Sequence, residues 1–82
     1  METRVAIIGI IIEDATAVAQ VQGLLSQYSH YIIGRMGIPY DEKQIRIISI
    51  AIDAPMDDIN ALTGKIGRIS GVAAKTVYQT AK

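Results

Sequence analysis

The sequence predicts an α+β domain with the element order strand, helix, strand, strand, helix, strand. Residues 4–12, 30–36, 44–52 and 71–80 are rich in β-branched side chains, which favour strands. Two segments between them repeat apolar residues at helical spacing. This order with short connections is typical of the ferredoxin-like, or split βαβ, fold: a four-stranded antiparallel sheet with two helices on one face.

The first strand, RVAIIGIII at residues 4–12, is apolar on both faces, so we expect a central strand that is covered on each side. In the first helix, Asp14 or Thr16 is expected to cap the N-terminus by accepting a backbone hydrogen bond. Gly23 weakens this helix, so we expect it to pack closely against a neighbour. The predicted buried stripe consists of Ala17, Val18, Val21, Leu24, Leu25 and Tyr28.

The second strand is predicted from His30 to Met36, and the glycine, proline and charges of residues 37–43 indicate a loop. Residues 44–52 form the predicted third strand. Pro55 suits the first position of the second helix, and acidic side chains in its first turn, Asp57 and Asp58, complement the helix dipole. Its predicted buried stripe is Ile59, Leu62, Ile66 and Ile69.

The stretch LTGKIGRISGV, residues 62–72, looks like a phosphate-binding loop but lacks that motif's spacing. A phosphate loop joins a strand to the start of a helix, whereas Gly64 and Lys65 fall late in one. The prediction is therefore structural: Lys65 and Arg68 complement the negative helix end, and Gly67 and Gly71 are available for the caps and turns that follow.

Composition limits the function classes. Eight basic and eight acidic residues give a formal net charge of zero, so no electrostatic footprint for nucleic acid is present. The chain has no cysteine, which excludes disulfides and cysteine-ligated clusters. No apolar run approaches the ~20 residues of a membrane span. We expect a cytoplasmic protein with one domain, residues 1–82. Because half of the residues are hydrophobic, we also expect an oligomer.

Three stretches, GRMGIPY, ISIAIDAPMDDINAL and ALTGKIGRISGVAAKTV, resemble the family of proposed regulators of the iron-only hydrogenase system. The resemblance implies an ACT-like domain, similar to the C-terminal domain of nickel-responsive repressors, that senses or regulates and self-associates through its sheets. Those repressors bind metal through histidines and a cysteine, and bind DNA through a separate domain. This chain has one histidine and only three residues before Arg4, so we expect neither that metal site nor direct DNA binding.

Four residues are candidates for ligand binding: Glu13, Asp14, Arg35 and Gly37. Glu13 and Asp14 follow the first strand, where ligand contact and helix capping are both open alternatives. Arg35 interrupts an apolar strand and belongs, with Gly37, to the stretch that resembles the family. Three roles are open for its side chain: it can extend to solvent at the strand edge, pair with a carboxylate across an interface, or bind an anionic ligand. His30 lacks partner histidines at metal-binding spacing, so no metal site is predicted.

These observations predict a non-catalytic regulatory domain that binds no cofactor, forms a homodimer or a dimer of dimers, and possesses no catalytic residue. A small ligand is expected at a subunit interface. Two alternatives stay open: a structural assembly protein without a ligand, and a small metal-binding sensor. The first and third strands are predicted to be central and contain no aromatic residue, which argues against RNA recognition.

Overall fold

The structure is a computed structural model that describes residues 2–80. Its elements are β1 (Arg4–Ile12), α1 (Val18–Gln27), β2 (Ile32–Tyr40), β3 (Ile45–Ala54), α2 (Met56–Gly67) and β4 (Val72–Tyr78). Short 3₁₀ turns lie at Ala15–Ala17, Ser29–Tyr31 and Asp41–Lys43. The predicted order of strands and helices is confirmed. The prediction of one domain over residues 1–82 extends beyond the described residues and stays a prediction.

All four strands form one antiparallel sheet in the order β2-β3-β1-β4. β1 and β3 are the central strands, as their apolar sequences predict. Ile8 lies opposite Ile50 on β3 and opposite Thr76 on β4. With two helices packed on this sheet, the chain has the predicted ferredoxin-like α+β fold.

β2 includes residues that the sequence analysis assigned to a loop. Residues 37–40 pair with β3, and Pro39 lies opposite Arg46. Proline is tolerated here because β2 is an edge strand, where a missing N–H need not remove a bond between strands. β2 also begins two residues later than predicted, since His30 lies in the 3₁₀ turn Ser29–Tyr31.

The core lies between the helices and one face of the sheet. The sheet contributes Ala6, Ile8, Ile10 and Ile12 from β1, and Ile48, Ile50, Ile52 and Ala54 from β3. The helical side contributes Ala17, Val21, Leu25, Ile59, Leu62 and Ile66. Each fully buried isoleucine or leucine side chain contributes roughly 1.5–3 kcal/mol, so this layer is the main source of stability.

The other face of the sheet, here called the open face, carries no helix among the described residues. Its residues are Val5, Ile7, Gly9, Ile11, Gly34, Met36, Ile38, Tyr40, Ile45, Ile47, Ser49, Ala51, Asp53, Ala73, Lys75 and Val77. Ile7 is 50% exposed and Val77 is 70% exposed. Within one chain, β1 is therefore covered on one face only, although its sequence is apolar on both.

Two local predictions were wrong. Pro55 precedes α2 instead of occupying its first position, because its ψ of 144° is extended. Gly23 does not pack against a neighbour, since a Cβ atom at this position would meet nothing within 4 Å. The acidic first turn of α2, with Asp57 and Asp58, is as predicted.

Candidate functional site

A cleft of about 460 Å³ opens between the start of α1 and the β2–β3 hairpin. Its apolar lining consists of Ile12, Ala15, Val18 and Ile45. Ile12 is the last residue of β1 and pairs with Arg46 on β3, so the floor of the cleft is the end of the two central strands. The volume falls within the usual range for small-molecule pockets, roughly 300–1,000 Å³.

Three polar residues line the same cleft: Asp41, Gln44 and Arg46. Gln44 ends the hairpin turn in a left-handed conformation with φ of 54°, and its N–H donates to the Asp41 carbonyl at 3.1 Å. A residue other than glycine adopts this conformation at a cost of roughly 1–2 kcal/mol. The turn and the start of β3 therefore place Asp41 and Arg46 beside an apolar cleft, where their charges can orient a ligand that carries complementary polar groups.

Asp14 caps the 3₁₀ turn that leads into α1. Its Oδ1 accepts a hydrogen bond from the Thr16 N–H at 3.0 Å and another from the Thr16 hydroxyl at 2.7 Å. Both hydrogen bonds stabilise the ionised carboxylate and therefore lower the pKa of Asp14 below its usual value of 3.8. The bond from the Thr16 hydroxyl has the larger effect, and the bond from the Thr16 N–H has the smaller. Asp14 therefore caps the 3₁₀ turn that leads into α1, whereas α1 itself begins after Ala17 without a side-chain cap. Asp14 precedes Ala15, which lines the cleft, but does not line the cleft itself.

Glu13 joins this turn to the start of β4, because its N–H donates to the Gly71 carbonyl at 2.7 Å. Gly71 has a φ of 79° and lies directly against Asp14. The turn before α1 is thus fixed on one side by its own cap and on the other by the segment between α2 and β4.

Arg35 and Gly37 lie elsewhere, on edge strand β2, with β3 between them and β1. Arg35 pairs with Ile50 and Gly37 pairs with Ile48, so both belong to the helix side of the sheet. The Arg35 guanidinium donates to the Gln22 Oε1 atom on α1 at 2.7 Å. The four candidates from the sequence therefore form two separate pairs, and none of the four lines the cleft.

Sequence reasoning missed the polar side of the cleft. Asp41 fell in the segment interpreted as a loop, and Gln44 and Arg46 fell in the predicted third strand and were not among the candidate site residues. The position of Arg46 opposite Ile12 follows from the pairing of β3 with β1, which no local pattern in the sequence indicates.

Lys65 lies in the last turn of α2, as predicted. Its Nζ atom donates to the Tyr28 hydroxyl at 3.1 Å and lies 5.4 Å from the centre of the Tyr28 ring. Lys65 therefore links the ends of the two helices, and its segment does not have the strand-to-helix geometry of a phosphate loop.

Among residues 2–80, no three His, Cys, Asp or Glu side chains are grouped closely enough to hold a metal ion. His30 stacks on Tyr31 at a ring-centroid distance of 4.1 Å. No helix in the described part of the chain has the length and apolar character needed to cross a bilayer.

The sequence matches a known protein family. Residues 4–76 match the TM1266-like family of proposed iron-only hydrogenase system regulators. The chain belongs to this family. A solved structure of protein TM1266 from Thermotoga maritima is similar, with 39% identity and a TM-score of 0.92 over 96% of this chain and 100% of that chain. A search of curated protein sequences gives no match.

More distant structures support the fold of this TM1266-like chain. The ACT domain of GTP pyrophosphokinase from Chlorobium tepidum has 21% identity and a TM-score of 0.71, covering 100% of this chain and 92% of that domain. A formyltetrahydrofolate deformylase from Pseudomonas syringae has 14% identity and a TM-score of 0.68, but the match covers only 29% of the enzyme. These similarities show that the ferredoxin-like fold is ACT-like, as the sequence resemblance implied.

Proposed function

We propose that the chain is a non-catalytic regulatory domain of the iron-only hydrogenase system that binds a small ligand in the cleft beside α1. Membership of the TM1266-like family supports the regulatory role. The observation that carries the ligand proposal is the cleft itself, which combines an apolar floor with Asp41, Gln44 and Arg46 at one wall. The ligand would carry an anionic group for the Arg46 guanidinium and a donor for the Asp41 carboxylate.

Self-association is the second part of the proposal. The open face exposes a layer of isoleucine, valine and methionine side chains that one chain leaves in water. Burial of such a layer against another copy is favourable at about 25 cal/mol for each Å² of apolar surface. We expect a homodimer, or a dimer of dimers if a second surface also associates. A ligand at a subunit interface, as the sequence predicts, would require copies that also meet near the hairpin.

A thermal-shift screen tests ligand binding. The panel contains small metabolites with both acidic and basic groups, dicarboxylates, and divalent metal ions. A ligand at a hundredfold excess over its Kd stabilises the folded state by about 2.7 kcal/mol. One kcal/mol shifts the Tm of a domain of this size by roughly 4–8 °C, so a shift of roughly 10 °C or more is expected.

Two substitutions locate the site. Arg46→Gln should abolish the shift, because the cleft loses its cationic group. Lys43→Gln is the matched control: it also removes one positive charge near the hairpin turn, but Lys43 does not line the cleft. If Arg46→Gln retained the full shift, the ligand would bind elsewhere, and the pair formed by Arg35 and Gly37 would be tested next.

The alternatives make different predictions in the same screen. A structural assembly protein would show no shift with any compound while still forming an oligomer. A metal sensor would respond to metal ions alone. Such a site would need ligands from more than one chain, since no cluster of suitable side chains occurs within residues 2–80.

A further inference from the structure

Next to the cleft, the helix side of edge strand β2 is uncovered. Pro39 lies opposite Arg46, which lines the cleft, and Gly37 and Arg35 follow on the same side of the strand. These three β2 residues are exposed, although they face the same side of the sheet as the buried core. The surface over Pro39, Gly37 and Arg35 is here called the β2 trough.

Helix α1 forms the facing wall of the β2 trough. Val18 lines the cleft, and Gln22 lies four residues further along α1, on the same side of the helix. The Gln22 Oε1 atom accepts a hydrogen bond from the Arg35 guanidinium at 2.7 Å. The helix and the strand therefore run side by side from the cleft to Arg35, which marks the far end of the trough.

Gly37 lies in the middle of the trough, and nothing within one chain requires a glycine there. A Cβ atom at Gly37 would meet nothing within 4 Å, and its φ angle is not positive. Glycine inside a strand weakens the strand, because it supplies no side chain to pack. A glycine that its own chain does not explain is typical of a place where a ligand or another backbone approaches closely.

The trough has a positive charge at each end. Arg46 lies at the cleft end and Arg35 at the far end, and no acidic residue occurs in α1, in β2 or in residues 45–52. The hydrogen-bond partner of Arg35 is the neutral amide of Gln22, which does not compensate the charge of the guanidinium. Two cations at the ends of an open trough complement a molecule that carries an acidic group at each of its own ends.

We propose that the ligand of the cleft is an elongated molecule with two terminal acidic groups, and that Arg46 binds one of them while Arg35 binds the other across Gly37. This inference rests on the proposed function and adds the chemical class of the ligand and a second binding residue. Residues 35 and 39 are separated by four steps of about 3.4 Å, so the trough is roughly 14 Å long. Both guanidinium groups end flexible stems, so the acidic groups of the ligand can be closer together than the two arginine Cα atoms.

A series of linear dicarboxylates tests the spacing, with isothermal titration calorimetry on the full chain at constant ionic strength. The series runs from succinate to sebacate, and each compound is compared with the monocarboxylate of the same carbon number. The affinity should depend on chain length. At the best length, the dicarboxylate should bind roughly 10- to 100-fold more tightly than the monocarboxylate, the scale of one hydrogen-bonded contact between charged groups.

Two substitutions at the far end and middle of the trough should remove this advantage. In Arg35→Gln, the best dicarboxylate and its monocarboxylate should bind equally, because the second cation is lost. Arg68→Gln is the matched control, since it removes an exposed arginine at the end of α2, away from the cleft and the trough. Gly37→Leu should have the same effect as Arg35→Gln, because the leucine side chain would fill the trough.

Gly34→Leu is the control for Gly37→Leu. Gly34 is also in β2 with no neighbour within 4 Å, but it belongs to the open face. Circular dichroism checks that each variant is folded. Equal affinities of dicarboxylates and monocarboxylates at every length, or a full dicarboxylate advantage in folded Arg35→Gln, would overturn the inference while the cleft stands as the binding site. If no compound of the thermal-shift panel or of the series binds, the proposed ligand binding falls together with the inference.

Discussion

Gly71 lies directly against Asp14: a Cβ atom at Gly71 would be 2.6 Å from the Asp14 Cβ atom and 3.4 Å from the Asp14 nitrogen. The Gly71 carbonyl also accepts the Glu13 N–H. This contact connects the end of the α2–β4 segment to the turn that leads into α1. The turn borders the cleft, so its position depends on a glycine 57 residues away in the sequence.

Gly71→Ala should destabilise the domain by about 1–3 kcal/mol. The φ of 79° is unfavourable for alanine, and the new methyl group would displace the Asp14 backbone. Urea unfolding followed by circular dichroism measures the change. Gly67→Ala is the control, since a Cβ atom there meets nothing within 4 Å, and its effect should be much smaller. Equal effects at the two positions would contradict the contact.

The pH dependence of stability should report the cap formed by Asp14. Its folded-state pKa is lowered, so its contribution is present above the unfolded pKa and is lost as the pH falls through the folded pKa. We therefore expect wild type and Asp14→Ala to differ most near neutral pH and to converge in strong acid. Unfolding curves between pH 7 and acid test this, and a constant difference would contradict it.

We expect that Lys65 does not bind nucleotides, because its side chain links the ends of the two helices. Lys65→Ala removes a helix-end charge and the contact with Tyr28, at a cost of less than about 1 kcal/mol. ATP and GTP should not raise the Tm of the wild type. A micromolar nucleotide affinity that disappears in Lys65→Ala would restore the phosphate-loop interpretation.

Gly23→Ala should stabilise the domain by roughly 0.5–1 kcal/mol. Gly23 lies inside α1, its φ is not positive, and the position has space for a methyl group. Alanine loses less conformational entropy than glycine in a helix. Thermal unfolding measures the gain; a loss of stability would show that Gly23 is packed in a way the single chain does not reveal.

The fold could be predicted from the sequence because segments rich in β-branched residues and segments with apolar residues at helical spacing follow one another in the order of the ferredoxin-like fold. Ile59, Leu62 and Ile66 recur at helical spacing and are fully buried. The sequence could not predict which face of β1 the helices cover, because Ile7 and Ile8 are equally apolar. That choice depends on where α1 and α2 pack, which is a tertiary property.

The cleft was harder to predict than the fold. Its polar residues belong to the hairpin turn and to the start of β3, and its apolar residues belong to β1, β3, α1 and the 3₁₀ turn before α1. Only the pairing of β3 with β1 brings Arg46 beside Ile12. The local sequence pattern carries no information on that pairing. In addition, Pro39 led to the interpretation of the second half of edge strand β2 as a loop.

Ile7 and Ile8 are adjacent in the sequence and should respond in opposite ways to the same substitution. Ile8 is fully buried in the core, whereas Ile7 is 50% exposed on the open face. Ile8→Lys would bury an unpaired charge among apolar side chains and should unfold the domain. Ile7→Lys leaves the core intact but places a charge in the proposed contact between two sheets.

We therefore expect Ile7→Lys to retain the wild-type circular dichroism spectrum and to elute as a monomer, with mass measured by light scattering after size exclusion. Each isoleucine buried at the interface contributes roughly 1.5–3 kcal/mol, so a lysine at Ile7 should shift the equilibrium strongly toward the monomer. An oligomeric Ile7→Lys variant would mean that the copies associate through another surface, such as the edge of β2, whose apolar side chains are also exposed.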